Sequence, residues 1–430
     1  MHSGVHHALA TTWKRESARI VAAAARRVHD LGVAEEVAQD ALVAALEHWP
    51  RDGIPDNPAA WLMTTALNRA LDHLRRLKTA AAGQAAVAQD LQALQADRAP
   101  DVAEAVAVAQ ADPVGDDLLR LIFTACHPVL PTDARVALTL RLVAGLTTHE
   151  IARAFLVPEA TVAQRIVRAQ KKLRDAQVPF DLPPRAALGE RLAAVLEVVY
   201  LVFNEGYTAT GGDQWMRPAL CAEALRLAHL LATLAPDEPE VHGLLALLEL
   251  QASRTAARTG AGGEPVLLAD QDRTRWDHAA IARGLAALAR AEARSGAPAA
   301  APGPYQLQAA IAACHARASA AEATDWAAIA RLYGELAQVA PSPVVELNRA
   351  VAVAMCDGPA AGLDLVDRLA DLPALARYPW LPAVRGDLLS RLGRHHEART
   401  AFLRAAELTE NAQERTLMTA RAEAGGRAIR

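Results

Sequence analysis

At 430 residues the chain is too long for one compact core, and two to four domains are expected. It is 52% hydrophobic but only 4% aromatic, with a net charge of −4, which excludes a global basic field for nucleic acid and leaves local stripes to supply any such affinity. No apolar run is long enough to span a bilayer, so no membrane partner is expected, nor is a signal peptide.

Abundant alanine and the lack of alternating Val, Ile and Thr segments predict an all-α fold. "MHSGVHH" reads as a frayed polar terminus rather than a metal site. "ARIVAAAARRVHDLG" and "AEEVAQDALVAALEHW" have helical spacing, with Gly32 and Pro50 as breaks. "RDGIPDNP" (Arg51 to Pro58) is loop chemistry, because its two prolines cannot continue a helix. "AAWLMTTALNRALDHLRRLK" follows as a longer helix. Its buried stripe is Trp61, Ala66 or Leu67, Ala70 or Leu71, and Leu74; Asn68, Arg69, Asp72, Arg75 and Arg76 lie off it. Residues 79–112, rich in Ala, Gln and Asp, read as a linker.

The block 113–178 contains "LTTHEIARAFLVPEATVAQRIVRAQKKLR" (Leu146 to Arg174). Thr147 with Glu150 forms a capping box for a short helix from Thr148 to Phe155. "LVP" then forces a turn, and Pro158 suits the first turn of a second helix. There Val162, Ile166, Ala169 and Leu173 define a buried face, while Arg165, Arg168 and Lys172 share another. This is the plan of a helix-turn-helix. Glu159, Thr161, Gln164, Arg165 and Arg168 are its base-edge candidates; Lys171, Lys172 and Arg174 are its phosphate candidates. Taken alone, the segment leaves open whether this is a DNA-reading helix or the solvated face of any helix.

From residue 179 the character changes. "VPFDLPPRAALGERL" is a proline-rich hinge. Beyond it "ALRLAHLLATLAPDEPEVHGLLALLELQASR", "DWAAIARLYGELAQVAPSPVVELNRAVAVAMCDG" and "LPAVRGDLLSRLGRHHEARTAFLRAAELTENAQERTLMTARA" read as amphipathic helix pairs resembling tetratricopeptide (TPR) repeats of imperfect period. "RTGAGGEP" and "RSGAPAAAPGP" are connections. Asn204, Glu205 and Tyr207, and Asp270, Asp272, Arg273, Trp276 and Asp277, form polar clusters. Two acids near a tyrosine suit acid–base work. No nucleophile–base pair, metal spacing or phosphate loop accompanies them, so the clusters read as ties between helix pairs or as a ligand- or peptide-binding concavity. No catalytic residue, cofactor or metal is expected. Cys126, Cys221, Cys314 and Cys356 form no CxxC pair, which argues against a metal cluster or disulfide framework and fits a reducing, cytoplasmic setting.

Over residues 10–177, "AEEVAQDALVAALEHW", "NPAAWLMTTALNRALDHLRR" and "LTTHEIARAFLVPEATVAQRIVRAQKKLR" resemble, in order and separation, domains two and four of bacterial sigma factors of the extracytoplasmic-function group. The resemblance implies a sigma domain 2 bundle at 1–78, the linker, a sigma domain 4 helix-turn-helix at 113–178, and an extension at 179–430. It implies that Glu35, Glu36, Gln39 and Asp40 dock on the β′ clamp helices of RNA polymerase core, with the β flap as a further contact. Asn68, Arg69, Arg75 and Arg76 would meet the −10 strand, with Asp72 orienting an arginine. The loop from Arg51 to Asn57 would receive a flipped base. Glu159, Thr161, Gln164, Arg165, Arg168, Lys171 and Lys172 would grip −35 duplex. Trp61 is assigned to the core rather than to base stacking.

One subgroup of these factors carries a TPR-like extension. "VYLVFNEGYTAT", "LLADQDRTRWD", "GPYQLQAAIAACHA" and "PSPVVELNRAVAVA" resemble it, implying an intramolecular regulator of the DNA-binding domains. A helix-turn-helix regulator with a ligand-sensing helical domain is the alternative. It leaves "WLMTTALNRALDHLRR" without a task. A TPR scaffold accounts for residues 185–430 only, and a hydrolase using Glu205, Asp270 or Asp277 accounts for least.

Overall fold

The computed structural model describes residues 2–85, 114–155, 157–209, 211–212, 215–260, 264–294 and 301–427. The chain divides into two compact units, Met1–Val198 and Val199–Arg430. The all-α expectation holds, except that β1 (Gly211–Gly212) and β2 (Glu410–Asn411) pair in parallel in the second unit.

The first unit opens with α1 (His2–Val28), α2 (Leu31–Asp52) and α3 (Pro58–Ala85). The break before α2 is not at Gly32. His29 takes φ +53°, and the Asp30 carboxylate caps α2 by accepting from the Gly32 and Val33 N–H groups at 2.7 and 3.1 Å. Nor does Pro50 end α2. It lies in the last turn, where a missing N–H removes one bond from a helix about to stop, and Gly53 at φ +88° closes the end. Helix α3 runs on through residue 85, so the start of the expected linker is helical; residues 86–112 lie outside the described residues.

Alanines dominate the contact faces of these helices. Ala24, Ala34, Ala38, Ala41, Ala45, Ala66 and Ala70 are fully buried, letting the backbones approach closely around Ile20 and Leu62. The stripe of α3 is led by Leu62 rather than Trp61. Trp61 is half-buried and lies edge-on to Trp49, 5.7 Å between centroids, and Trp49 is the tryptophan inside the core.

Next come α4 (Val114–Ala125), α5 (Thr132–Leu142), α6 (Thr148–Phe155), α7 (Glu159–Asp175) and α8 (Arg185–Tyr207), in which the division between units falls. The capping box forms: Thr147 N–H donates to Glu150 at 2.7 Å and Glu150 N–H to Thr147 Oγ1 at 3.1 Å. The buried residues of α7 are Val162, Ile166, Ala169 and Leu173, and Leu130, Leu138 and Ile151 of the same module are buried as well. Two bonds tie the first part of α8 to this module: Arg191 donates to the Phe123 carbonyl at 2.6 Å, and Arg135 pairs with Glu197 at 3.2 Å.

The second unit holds α9 (Pro218–Leu234), α10 (Pro239–Ala252), α11 (His278–Arg294), α12 (Pro304–Arg317), α13 (Trp326–Val339), α14 (Pro343–Cys356), α15 (Pro359–Leu369), α16 (Trp380–Arg391), α17 (His395–Leu408) and α18 (Ala412–Arg427). From Trp326 onward successive pairs begin at Trp326, Pro359 and His395, close to the roughly 34-residue TPR spacing. Before that point short 3₁₀ turns between Thr255 and Arg275 break the period. Gly243 permits a close crossing of α10 and α12, since a Cβ there would stand 2.8 Å from the Gln306 backbone nitrogen. Residues 261–263 and 295–300 of the two expected connections lie outside the described residues.

Candidate nucleic-acid interface

Helix α7 turns its apolar quartet inward, and its polar residues face out. Arg168, Lys171 and Lys172 are exposed, and among the described residues none has an ion-pair partner. Arg165 pairs with Asp133 on α5 at 3.1 Å, both partly exposed. Glu159 is engaged by Thr148 Oγ1 at 3.1 Å and His149 at 3.5 Å, at the start of α6. A groove of about 340 Å³ between α5 and α7 brings together Thr161, Gln164, Arg165, Arg168 and Lys172. Lys171 and Glu159 stand outside it.

A second polar face lies on α3. Asn68, Asp72, Arg75 and Arg76 are exposed along one side. Asp72 holds Arg75 at 3.2 Å, and Arg76 Nε donates to the Asp72 carbonyl at 3.4 Å. Arg69 pairs across to Asp40 on α2 at 3.3 Å, which links a proposed DNA residue to a proposed docking residue. Arg51 is exposed at the end of α2, whereas the Asn57 side chain caps α3 by accepting from Ala60 N–H at 3.1 Å.

The face of α2 carries Glu36 exposed and Gln39 and Asp40 half-buried. Sequence reasoning missed its continuation: Val43 is 51% and Leu46 38% exposed, four and seven residues beyond Gln39. They extend the polar face of α2 with two apolar side chains open to solvent. The signal was readable, since both fall outside the stripe of Ala34, Ala38, Ala41 and Ala45.

Glu35 is not free. Its carboxylate accepts from Gln39 at 2.8 Å, from Arg141 on α5 at 2.5 Å and from Gln170 on α7 at 2.7 Å. Two other contacts join the same modules: Arg174 to Asp30 at 2.9 Å, and Arg26 to the buried Asp117 at 3.4 Å. Gly145, at φ +70°, sits where a Cβ would meet Ser17 Oγ at 2.8 Å. The helix-turn-helix module therefore rests on α1 and α2.

In the second unit the polar clusters do not converge on one acid–base site. Glu205 pairs with Arg217. Tyr207 stacks on Phe203 and lies under Arg258, whose guanidinium carbon is 3.4 Å from the ring centroid. Asp272 and Asp277 cap turns, accepting from Thr274 and Ala280 N–H groups, and both are exposed, as is Asp270. The Thr274 hydroxyl and N–H hold Asp272 below the usual carboxylate range. Arg273 donates to the His315 and Ala318 carbonyls at 2.6 and 2.7 Å, and Trp276 is buried 4.6 Å from its guanidinium carbon. Asn204 is half-buried. The four cysteines are free thiols, and among the described residues no group of three or more His, Cys, Asp and Glu is placed to hold a metal.

Residues 13–79 match the family "Sigma-70 region 2", and residues 120–173 match "Sigma-70, region 4". Residues 191–292 match a "Family of unknown function (DUF6596)". An uncharacterized protein of Rhizobium meliloti is 46% identical over 390 residues, covering 90% of this chain and 89% of that protein. The "Probable ECF RNA polymerase sigma factor SigI" of Mycobacterium tuberculosis is 25% identical over 56% of this chain and 89% of its own length. The "RNA polymerase sigma-H factor" of Pseudomonas aeruginosa is 29% identical over 38% of this chain and 82% of its own. No solved structure matches the chain. Among the described residues no helix is long and apolar enough to cross a membrane.

Proposed function

The chain belongs to the sigma-70 factors of the extracytoplasmic-function type, and we propose that it directs core RNA polymerase to promoters through two separate DNA-facing surfaces. Helix α7 lies in the major groove of −35 duplex. Arg165, Arg168, Gln164 and Thr161 meet base edges, while Lys171 and Lys172 meet phosphates. The exposed side of α3, with Asn68, Arg75 and Arg76, takes the melted −10 strand, and the 51–57 loop receives a base turned out of the stack. Glu36 and Asp40, with the exposed Val43 and Leu46, dock on the clamp helices of the polymerase. The chain does no covalent chemistry in this role, and the extension regulates the sigma modules from within the same chain.

The observation that carries this reading is the pairing of an unneutralised cation stripe on α7 with a second polar helix face on α3, each within a sigma-region match. The arrangement of the modules adds a resting state. Glu35 lies beside the docking face and is held by Arg141 and Gln170, so full engagement of the clamp requires the helix-turn-helix module to lift away. In-vitro transcription with purified core polymerase tests the function: specific initiation dependent on this chain is expected. Tight duplex binding by the chain alone, without initiation, would return the helix-turn-helix regulator to first place.

A further inference from the structure

A cavity of about 480 Å³ opens within the second unit among α8, α10, α12, α13 and α14. Its apolar wall is Leu247, Ile311, Leu336, Val344 and Val345, and no acidic residue lines it. Its one permanent charge is Arg254, a buried residue. Among the described residues Arg254 has no carboxylate partner. It donates to Gln251, its Nε has no hydrogen-bond partner, and its guanidinium carbon stands 6.0 Å from each of the Tyr207 and Trp276 ring centroids.

The surroundings make the imbalance worse. Arg258 and Arg273 flank Arg254, and their hydrogen bonds go to backbone carbonyls and threonine hydroxyls. Burial, followed by repulsion from Arg254, holds Arg273 below its ordinary range, and Arg258 is lowered by burial first as well. Burial and the two guanidiniums of Arg254 and Arg273 push His315 down to about 4, so it lines the cavity as a neutral ring. Glu322 acts on Arg273 from outside the cavity, but no carboxylate pairs with Arg254 or Arg258 among the described residues, and a buried cation left unpaired is costly.

Hydroxyls and amides converge on the same space. Tyr200 donates to the Gln308 amide oxygen at 3.0 Å, and the Gln308 amide nitrogen donates to the Pro304 carbonyl at 3.2 Å, so both line the cavity as fixed neutral groups. The Tyr333 hydroxyl has no hydrogen-bond partner among the described residues and borders the cavity. A single guanidinium with neutral donors on an apolar wall matches one carboxylate on an apolar body, and it does not match a polyanion, which needs several cations.

We propose that this cavity binds a small organic carboxylate with an apolar body, its carboxylate seated on the Arg254 guanidinium beside the Tyr333 hydroxyl. Binding is read on the full chain itself, so the result does not depend on the transcription assay. Calorimetric titration at constant ionic strength compares 4-phenylbutyrate with its uncharged amide. The acid is expected to bind at least about tenfold more tightly than the amide, the scale of one charge-assisted contact. Arg254→Gln is expected to abolish that preference, and Tyr333→Phe to weaken the acid several-fold with an unchanged melting curve. Equal binding of acid and amide, no binding of either, or an undiminished acid preference in Arg254→Gln overturns the proposal. Should Arg254→Gln fail to fold, the acid–amide comparison together with Tyr333→Phe decides it.

Discussion

Arg141→Ala is expected to tighten binding to core polymerase, although Arg141 lies outside every proposed polymerase and DNA contact. Arg141 Nε meets Glu35 at 2.5 Å, and its guanidinium also donates to the Leu146 carbonyl at 3.2 Å. The two side chains of the pair are 22% and 15% exposed. Exposed ion pairs contribute roughly 0.2–1 kcal/mol, and breaking a fully buried one costs about 3–5 kcal/mol. Gln39 and Gln170 still satisfy Glu35 after the substitution, so about 2 kcal/mol is the reasonable loss. That shifts the ratio of closed to open modules by about 30-fold. Apparent affinity scales with the open fraction, so core binding should tighten by up to that factor. Fluorescence anisotropy of the labelled full chain titrated with core polymerase measures it. Arg19→Ala, which removes an exposed pair with Glu16, serves as the control and should leave affinity unchanged. Unchanged or weaker binding by an Arg141→Ala protein with a normal melting curve would refute the inhibitory contact.

On α7, Arg168→Ala should cost about 1–3 kcal/mol and change promoter preference, whereas Lys172→Ala should weaken all sequences alike and lower the salt slope by about one; band-shift titrations of holoenzyme at several salt concentrations separate the two. The pH dependence of the second unit should carry the signature of His315. Its folded pKa, about 4, lies below the unfolded 6.5, so the unfolded chain gains a proton first and stability is lost as pH falls through that window. The full effect is about 3 kcal/mol, and urea melts at pH 7 and 4.5 should show most of it disappear in His315→Gln. Glu240 and Glu414, both raised by burial, act in the opposite sense, so only the wild-type-minus-variant difference is diagnostic. A chain ending after Val198 should melt higher than one ending after Pro184, since only the longer keeps the Arg191–Phe123 and Arg135–Glu197 ties. Each tie contributes on the order of 1–3 kcal/mol, and equal melting temperatures would show that α8 is irrelevant to this module.

What the sequence revealed was local, and what it hid was not. The buried quartet of α7 and the capping box of α6 could be read directly because both are decided within one or two turns of helix. In the stripe of α3, Ala66 and Ala70 are buried as read, but Leu62 takes the place given to Trp61, because Trp49 on another helix occupies the core beside it. Gly32 looked like a break until Asp30 satisfied its N–H and made it part of the first helical turn. Pro50 misled for a similar reason, because position in a helix decides what proline costs. The bonds holding Glu35 come from residues 106 and 135 positions away, and the partner of Asp30 is 144 positions away. No periodicity encodes such pairs. The proposed docking role of Glu35 was therefore conceivable from the sequence, but its occupied state was not. Similarly, the polar clusters near residues 204 and 272 were visible, whereas Arg254, between them in sequence and beside them in space, had no motif to announce it.

The same contacts couple the two surfaces. Of the five cations of α7, Arg165 is held by Asp133 within its own module, but Arg174 is held by Asp30 across the module junction. Lifting the helix-turn-helix module away releases Glu35 on one side and Arg174 on the other. In the closed arrangement three cations of the stripe, Arg168, Lys171 and Lys172, have no ion-pair partner among the described residues and are free for DNA, two of them assigned to phosphate, and opening adds Arg174 as a further phosphate contact. Each phosphate contact contributes about 0.9 to the slope of affinity against salt, so a three-cation stripe alone binds duplex weakly at physiological salt. Docking on polymerase that requires opening must then strengthen DNA binding, and promoter DNA that captures Arg174 must strengthen docking by the same factor, because the two share one equilibrium. On the proposed function, such a subunit would stay off DNA until the polymerase has taken it, held there by two largely buried carboxylates, Asp30 and Glu35, at the start of α2.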